Sequence, residues 1–309
     1  MGDRDLYEAG PASYSRGSSQ VRPRHSSREM VDWEDGPVHR ILVRRTVRVE
    51  AVDGTDRIRI RALRVPTVPG QAVVSEDWWP LPTGSGSEPA GSWKEWDLAS
   101  KPGVTEYVYQ AVVDVVERHL TAAPLPYGAE ADPWRWTRPD SQRPSDAPAI
   151  CELAAALSGD YPLEFLESAW REILSRMRYL GFDRVDKGVL EGMQRGGGDC
   201  TEFSDLFTAL ARARGIPARS VRGWVLRDPT TLRHQWSEVW LPRRGWTAFD
   251  PTWGASRSAD FERIPGGRVV LAWDPPTDAM GKQDYEAWWW WGSPPAITER
   301  DSVSQLFYR

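Results

Sequence analysis

Long apolar runs are missing from this chain. No window approaches the roughly 18 apolar residues that a membrane-crossing helix requires. The N-terminal stretch MGDRDLYEAGPASYSRGSSQ also lacks the basic-then-apolar order of a secretory leader. Together these absences make a membrane role unexpected and lead to a cytoplasmic expectation. Cysteine is scarce: Cys151 and Cys200 can form at most one disulfide. No CxxC pair occurs, and the four histidines, His25, His39, His119 and His234, are scattered, so neither zinc nor any other metal or cofactor is expected. Lysine is nearly absent, with 4 residues against 35 arginines, a bias of composition rather than of function. The net charge of -5 argues against a nucleic-acid partner, which would call for a basic excess on one face.

What is present is 309 residues, enough for two domains, and 18 tryptophans. Rings of that size suit core packing and sheet cladding; an aromatic-lined cleft is the other reading. Residues 1–36 hold no sustained apolar period and read as a disordered tail. From Val38, Ile41, Val43, Val47 and Val49 alternate with Arg44, Arg48 and Glu50, and a second run sets Ile58 and Ile60 against Arg57, Arg59 and Arg61. Asp53-Gly54 between the two runs signals a hairpin, and the arginines read as a solvated face. VTEYVYQAVVDVVERHL adds a strand whose end could turn helical, so residues 37–122 are expected to form an antiparallel β-sandwich of their own. Six prolines in residues 123–148 mark a linker.

Helical periods follow within an expected core of residues 149–280. ICELAAALSG carries Cys151 among apolar neighbours and reads as a helix with a buried, inert thiol. Leu163, Leu166, Trp170, Ile173, Leu174 and Met177 define an amphipathic helix expected to end near Gly181. RVVLAW at 268–273 offers a strand. Residues 281–309, with Trp288 to Trp291 in series, read as a tail packing on the core or the sandwich.

The chemistry concentrates in Gly197–Trp253. Asp199-Cys200-Thr201-Glu202 has the form of a capping box ahead of the stripe Phe203, Leu206, Phe207, Leu210, which makes Cys200 the first residue of a helix. Unpaired N–H groups and the positive dipole end favour a thiolate there, while the Asp199 carboxylate works against it and a nearby histidinium would have to outweigh it. HQWSEVWL and GWTAFDP then read as successive strands, with His234, Trp236 and Glu238 on one face of the first and Trp246, Ala248 and Asp250 on one face of the second. Register decides whether the two faces coincide. A Leu241–Gly245 connection pairs Trp240 with Trp246, sets Trp236 opposite Asp250 and brings His234 diagonally next to Asp250. An odd-length loop or equivalent bulge with Gly245 at positive φ is therefore expected.

The motifs GDCTEFSDLFTALARARGIPARSVRG and HQWSEVWLPRRGWTAFDPT closely resemble the bacterial transglutaminase-like superfamily, over roughly residues 148–275. That resemblance implies an α+β, papain-related core with an antiparallel sheet, preceded here by the β-sandwich. It places a nucleophile on Cys200, a general acid/base on His234 and an orienting carboxylate on Asp250. The implied reaction is acyl transfer on a peptide or protein substrate through a thioester, with hydrolysis as the first expectation. Transfer to an amine, or a non-catalytic peptide-binding module, are the alternatives. For the oxyanion hole the candidates are the Cys200 N–H, Gln194 and Trp236, and Glu238 could tune the site.

Overall fold

The computed structural model describes residues 38–88, 91–116, 132–183, 187–227, 230–242, 244–255, 261, 267–274 and 285–306. The expected tail at residues 1–36 and residues 123–131 of the expected linker lie outside these. The described N-terminal part is all strand: β1 (Val38–Ala51), β2 (Thr55–Leu63), β3 (Gln71–Trp79), β4 (Gly84–Glu88), β5 (Gly91–Ala99) and β6 (Gly103–Val116). After a 3-10 turn at Pro133–Thr137 come α1 (Pro148–Ala156), α2 (Pro162–Arg176), β7 (Arg178–Tyr179), α3 (Val189–Arg195), β8 (Gly197–Gly198) and α4 (Cys200–Ala213). The chain continues through β9 (Ala218–Arg227), β10 (Thr230–Leu241), β11 (Gly245–Phe249), α5 (Pro251–Ala255), β12 (Arg268–Trp273), β13 (Glu286–Gly292) and β14 (Ala296–Gln305).

Two sheets, ordered β14-β1-β6-β3 and β13-β2-β5-β4, make the sandwich. The alternation in β1 buries Ile41, Val43, Val47 and Val49 and leaves Arg44, Arg48 and Glu50 exposed, the pattern of a strand with one wet face. Two expectations change here. Asp53-Gly54 is a turn, with Gly54 at φ +83° and Thr55 N–H donating to Val52 O, but it joins no hairpin, because β1 and β2 lie in different sheets. Their apolar faces meet across the sandwich, Val47 and Val49 sharing a cluster with Ile58 and Ile60, while β6 and β14 take both edges of β1. Nor do residues 37–122 form the sandwich alone. β13 pairs with β2 and β14 with β1, so the C-terminal segment supplies one edge strand to each sheet. Trp288 enters the sandwich core, while Trp289 and Trp291 cover the guanidinium groups of Arg61 and of Arg57 and Arg59. Those arginines pair with Glu95 and Asp97 on β5.

A third sheet, β11-β10-β9-β12, belongs to the α+β core and carries α4. Phe203, Phe207 and Leu210 of α4 share a cluster with Ile150, Phe165, Leu166, Trp170, Ile173, Val239 and Phe249. A further cluster runs from Ile41, Val43 and Val113 of the sandwich to Trp224, Val269 and Leu271 of the core sheet. β6 remains a strand to Val116. The amphipathic helix stops at Arg176 rather than near Gly181. Met177 is already extended, and Arg178 and Leu180 donate their N–H groups to Gly196 O and Gly198 O, both at 3.0 Å, a ladder that replaces the helix's last turn. Cys151 is exposed, not buried: α1 turns Ile150, Leu153 and Ala154 inward and Cys151 outward. No helix among the described residues is long and apolar enough to cross a membrane.

Candidate active site

Cys200 opens α4 through the capping box read from the sequence. Asp199 Oδ1 accepts from Thr201 N–H at 2.8 Å, and Glu202 Oε2 accepts from Asp199 N–H at 2.9 Å. Glycine is required before it for a definite reason. Gly196 ends α3 at φ +66°, and a Cβ on Gly197 would stand 2.3 Å from Arg178 O, so only a bare backbone can pair with β7 and turn into the helix.

What fixes α4 against β10 is polar. Gln235 Nε2 donates to Ser204 Oγ at 2.9 Å and to Asp205 Oδ1 at 2.8 Å, and Ser237 Oγ donates to Ser204 O at 2.9 Å. Asp205, buried in this layer, also accepts from Ser220 Oγ at 2.5 Å and from Arg143 Nη1 at 3.1 Å. Such bonds have definite partners and distances, so they set the register of helix on sheet more narrowly than apolar contact does.

The β10–β11 ladder pairs Leu241 with Gly245, Trp240 with Trp246 and Ser237 with Phe249, and Gly245 has φ +72°. This is the odd register. His234 Nε2 lies 2.8 Å from Asp250 Oδ2, with His234 only 6% exposed and Asp250 fully enclosed. Cys200 interacts with the same imidazole and favours its charged form. With Nε2 committed to Asp250, Nδ1 is the nitrogen left for sulfur. Burial opposes a charge on His234, but the Asp250 carboxylate and Cys200 outweigh it and raise its pKa to about 10. Asp250 is held down at about 2 by His234 and Arg268 against the cost of its own burial. The imidazolium–carboxylate pair is therefore the form held at neutral pH.

Arg268 was not among the residues singled out in the sequence. It stands at the start of β12, and its Nη2 donates to Asp250 Oδ2 at 2.6 Å, the same oxygen that faces His234. Trp253, one turn into α5, donates its N–H to Asp250 Oδ1 at 3.2 Å and packs its ring 5.6 Å from the imidazole, with Trp236 on the ring at 6.3 Å. Neither residue carries a local signal: Arg268 is one of 35 arginines and Trp253 one of 18 tryptophans. Among the earlier candidates, Trp236 is buried beside His234, whereas Gln194 is an exposed side chain on α3. Glu238 accepts from Arg219 Nε and Nη2 at 2.9 and 2.8 Å and from Trp273 Nε1 at 3.2 Å, a pairing away from the imidazole. Among the described residues no acidic, histidine or cysteine group is arranged to hold a metal ion.

A cysteine at a helix start facing a histidine–aspartate pair on neighbouring antiparallel strands defines the papain-related class of thiol folds. Residues 152–251 match the model of the transglutaminase-like superfamily. It is 32% identical over 93 residues to the uncharacterized protein YebA of Bacillus subtilis, a match covering 26% of this chain and 12% of YebA. It is 27% identical over 157 residues to the uncharacterized protein Rv2569c of Mycobacterium tuberculosis, covering 40% of this chain and 49% of that protein. The chain thus spans about half or less of the length of these curated relatives. A solved structure from Cytophaga hutchinsonii, described as a candidate cysteine protease, superposes with a TM-score of 0.64 over 89% of this chain and 93% of its own. Sequence identity there is 15%, so that likeness concerns the fold.

Proposed function

We propose that the protein is a thiol-dependent acyl-transfer enzyme that cleaves peptide or amide bonds through a thioester on Cys200. The observation that carries this reading is the bonded His234–Asp250 pair, whose imidazole interacts with Cys200 at the start of a capped helix. Cys200 Sγ attacks the amide carbonyl and a C–S bond forms. The oxyanion is met by the N–H of Cys200, which as the first helical residue has no helical carbonyl to bond. The tetrahedral adduct collapses, the C–N bond breaks, and the imidazolium of His234 passes its proton to the departing amine. Water then attacks the thioester while His234 takes its proton, the C–S bond breaks, and a carboxylic acid leaves as Cys200 is restored as a thiolate. Asp250 holds the ring orientation throughout and stabilises its charged form.

The test is alkylation of Cys200 followed by mass. Stoichiometric modification at pH 6–7 is expected, well under the range of an ordinary thiol at about 8.5, and it should be lost in His234→Ala. Cys200 reacting no faster than exposed Cys151 in the same molecule would sink the reading. Peptide libraries incubated with and without a primary amine separate the acceptors: hydrolysis gives free acids in both, and amide products in the second mark transamidation.

A further inference from the structure

The thiol reading uses Asp250 but leaves its second buried partner without a role. Asp250 Oδ2 receives both His234 Nε2 at 2.8 Å and Arg268 Nη2 at 2.6 Å, and Arg268 is itself only 8% exposed. Its guanidinium lies 4.7 Å over the Trp253 ring, and the Trp253 N–H holds the other carboxylate oxygen. Gly223, paired with His234 across the ladder, keeps this corner open. A Cβ there would stand 1.9 Å from Val269 O and 3.0 Å from the Trp236 ring.

We infer that Arg268 is a positioning residue of this site: by sharing Oδ2 it fixes the Asp250 carboxylate and weakens that carboxylate's grip on the His234 proton. The inference rests on the proposed thiol chemistry. A buried Asp–His pair without a third partner would hold the imidazolium too firmly, because nothing else divides the negative charge and little water screens it. A proton held that firmly is poorly given to a leaving amine. Drawing part of the carboxylate charge toward a permanent cation leaves an imidazolium that can act as an acid, and stacking on Trp253 keeps the cation in place.

The charged and titratable groups around the imidazole come from several elements. Asp250 is bonded to it, Arg268 is bonded to the same Asp250 oxygen, and Cys200 on α4 interacts with it, with Asp199 and Glu202 in the capping box beside the thiol. Tyr179 on β7 lies within electrostatic reach of Cys200. On the sandwich side Tyr285 Oη donates to Gly223 O and reaches His234 O, and Arg233 is tied to Glu286, Glu299 and Asp301. Of these, only Arg268 adds a second cation to the carboxylate oxygen that faces His234.

Full-length protein labelled with nitrogen-15 histidine gives the test, alongside inactivation by chloroacetate, an anion that alkylates a thiolate beside an imidazolium and slows when the imidazolium is lost. In Arg268→Gln the His234 midpoint and the falling limb of inactivation should both move up by about one pH unit, a roughly tenfold tighter hold on the proton. Arg268→Lys keeps the cation and should leave both near the wild-type position. An unmoved or lowered midpoint in folded Arg268→Gln overturns the inference, and if that variant does not fold, an upward shift in Arg268→Lys equal to about one unit does so instead. Failure of the thiol chemistry itself looks different: wild-type Cys200 would then show no His234-dependent inactivation, whatever the imidazole midpoint does.

Discussion

The two layered interfaces of this molecule differ in how densely they bury bonded polar side chains. Inside the sandwich, Val47, Val49, Ile58, Ile60, Trp96 and Trp288 form an apolar cluster, and the buried Arg45–Glu286 ion pair joins the two sheets elsewhere. Between α4 and the core sheet, a patch of Ser204, Asp205, Thr208, Ser220, Gln235 and Ser237 is buried and bonded in the midst of Phe203, Phe207 and Val239. Apolar packing rewards volume and tolerates small slides, whereas a buried polar layer loses a whole bond for a slide of an ångström. The denser polar burial appears where Cys200 and His234, on different elements, have to stay within bonding reach.

The largest expected effect breaks the polar layer. Asp205→Ala removes one buried bond each from Gln235, Ser220 and Arg143, and should cost about 3 kcal/mol or more in denaturant unfolding. The comparison demands more than a stability loss: the variant, folded below its transition, should also lose the rapid alkylation of Cys200. In the sandwich, Ile60→Ala should cost about 2–4 kcal/mol by opening a cavity, yet leave the alkylation rate of each folded molecule unchanged. If both variants slow the thiol equally, the polar layer holds Cys200 no more tightly than apolar packing does.

A pH scan of stability sharpens the same contrast. The His234 pKa rises from 6.5 to about 10 on folding, so its contribution is complete below about 6.5 and is lost as pH climbs through 10. For Asp250 the shift runs from 3.8 down to about 2, so its contribution is complete above about 4 and is lost as pH falls through 2. One ion pair produces both, and Tm should peak between about 4 and 6.5. Asp250→Asn should flatten the alkaline fall, measured by calorimetry between pH 6 and 10. A fall of undiminished slope in that variant would place its origin elsewhere.

Much of the site was legible because its constraints are local. The capping box lies within four residues, and the parity of Leu241–Gly245 fixes the face on which His234 and Asp250 meet. The hairpin expected at Asp53-Gly54 failed for the opposite reason. The turn is real, but which sheet each flanking strand joins is decided by β6, β14, β5 and β13, far away in sequence. Arg268 was illegible on the same ground, since it reaches Asp250 across 18 positions and from the far strand of the sheet.

The smallest expected effect is also the sharpest test of the contrast. Ser237 Oγ donates to Ser204 O at 2.9 Å and accepts from Thr208 Oγ1 at 3.1 Å, both inside the polar layer. Ser237→Ala removes these two bonds while keeping the volume nearly unchanged, so the stability loss should be about 1 kcal/mol. Gln235 and Asp205 still hold the helix start, and alkylation of Cys200 should fall no more than a few-fold. A loss of reactivity as deep as that of Asp205→Ala, at so small a cost in stability, would mean that helix register alone, rather than the buried charge, keeps the thiol beside its histidine.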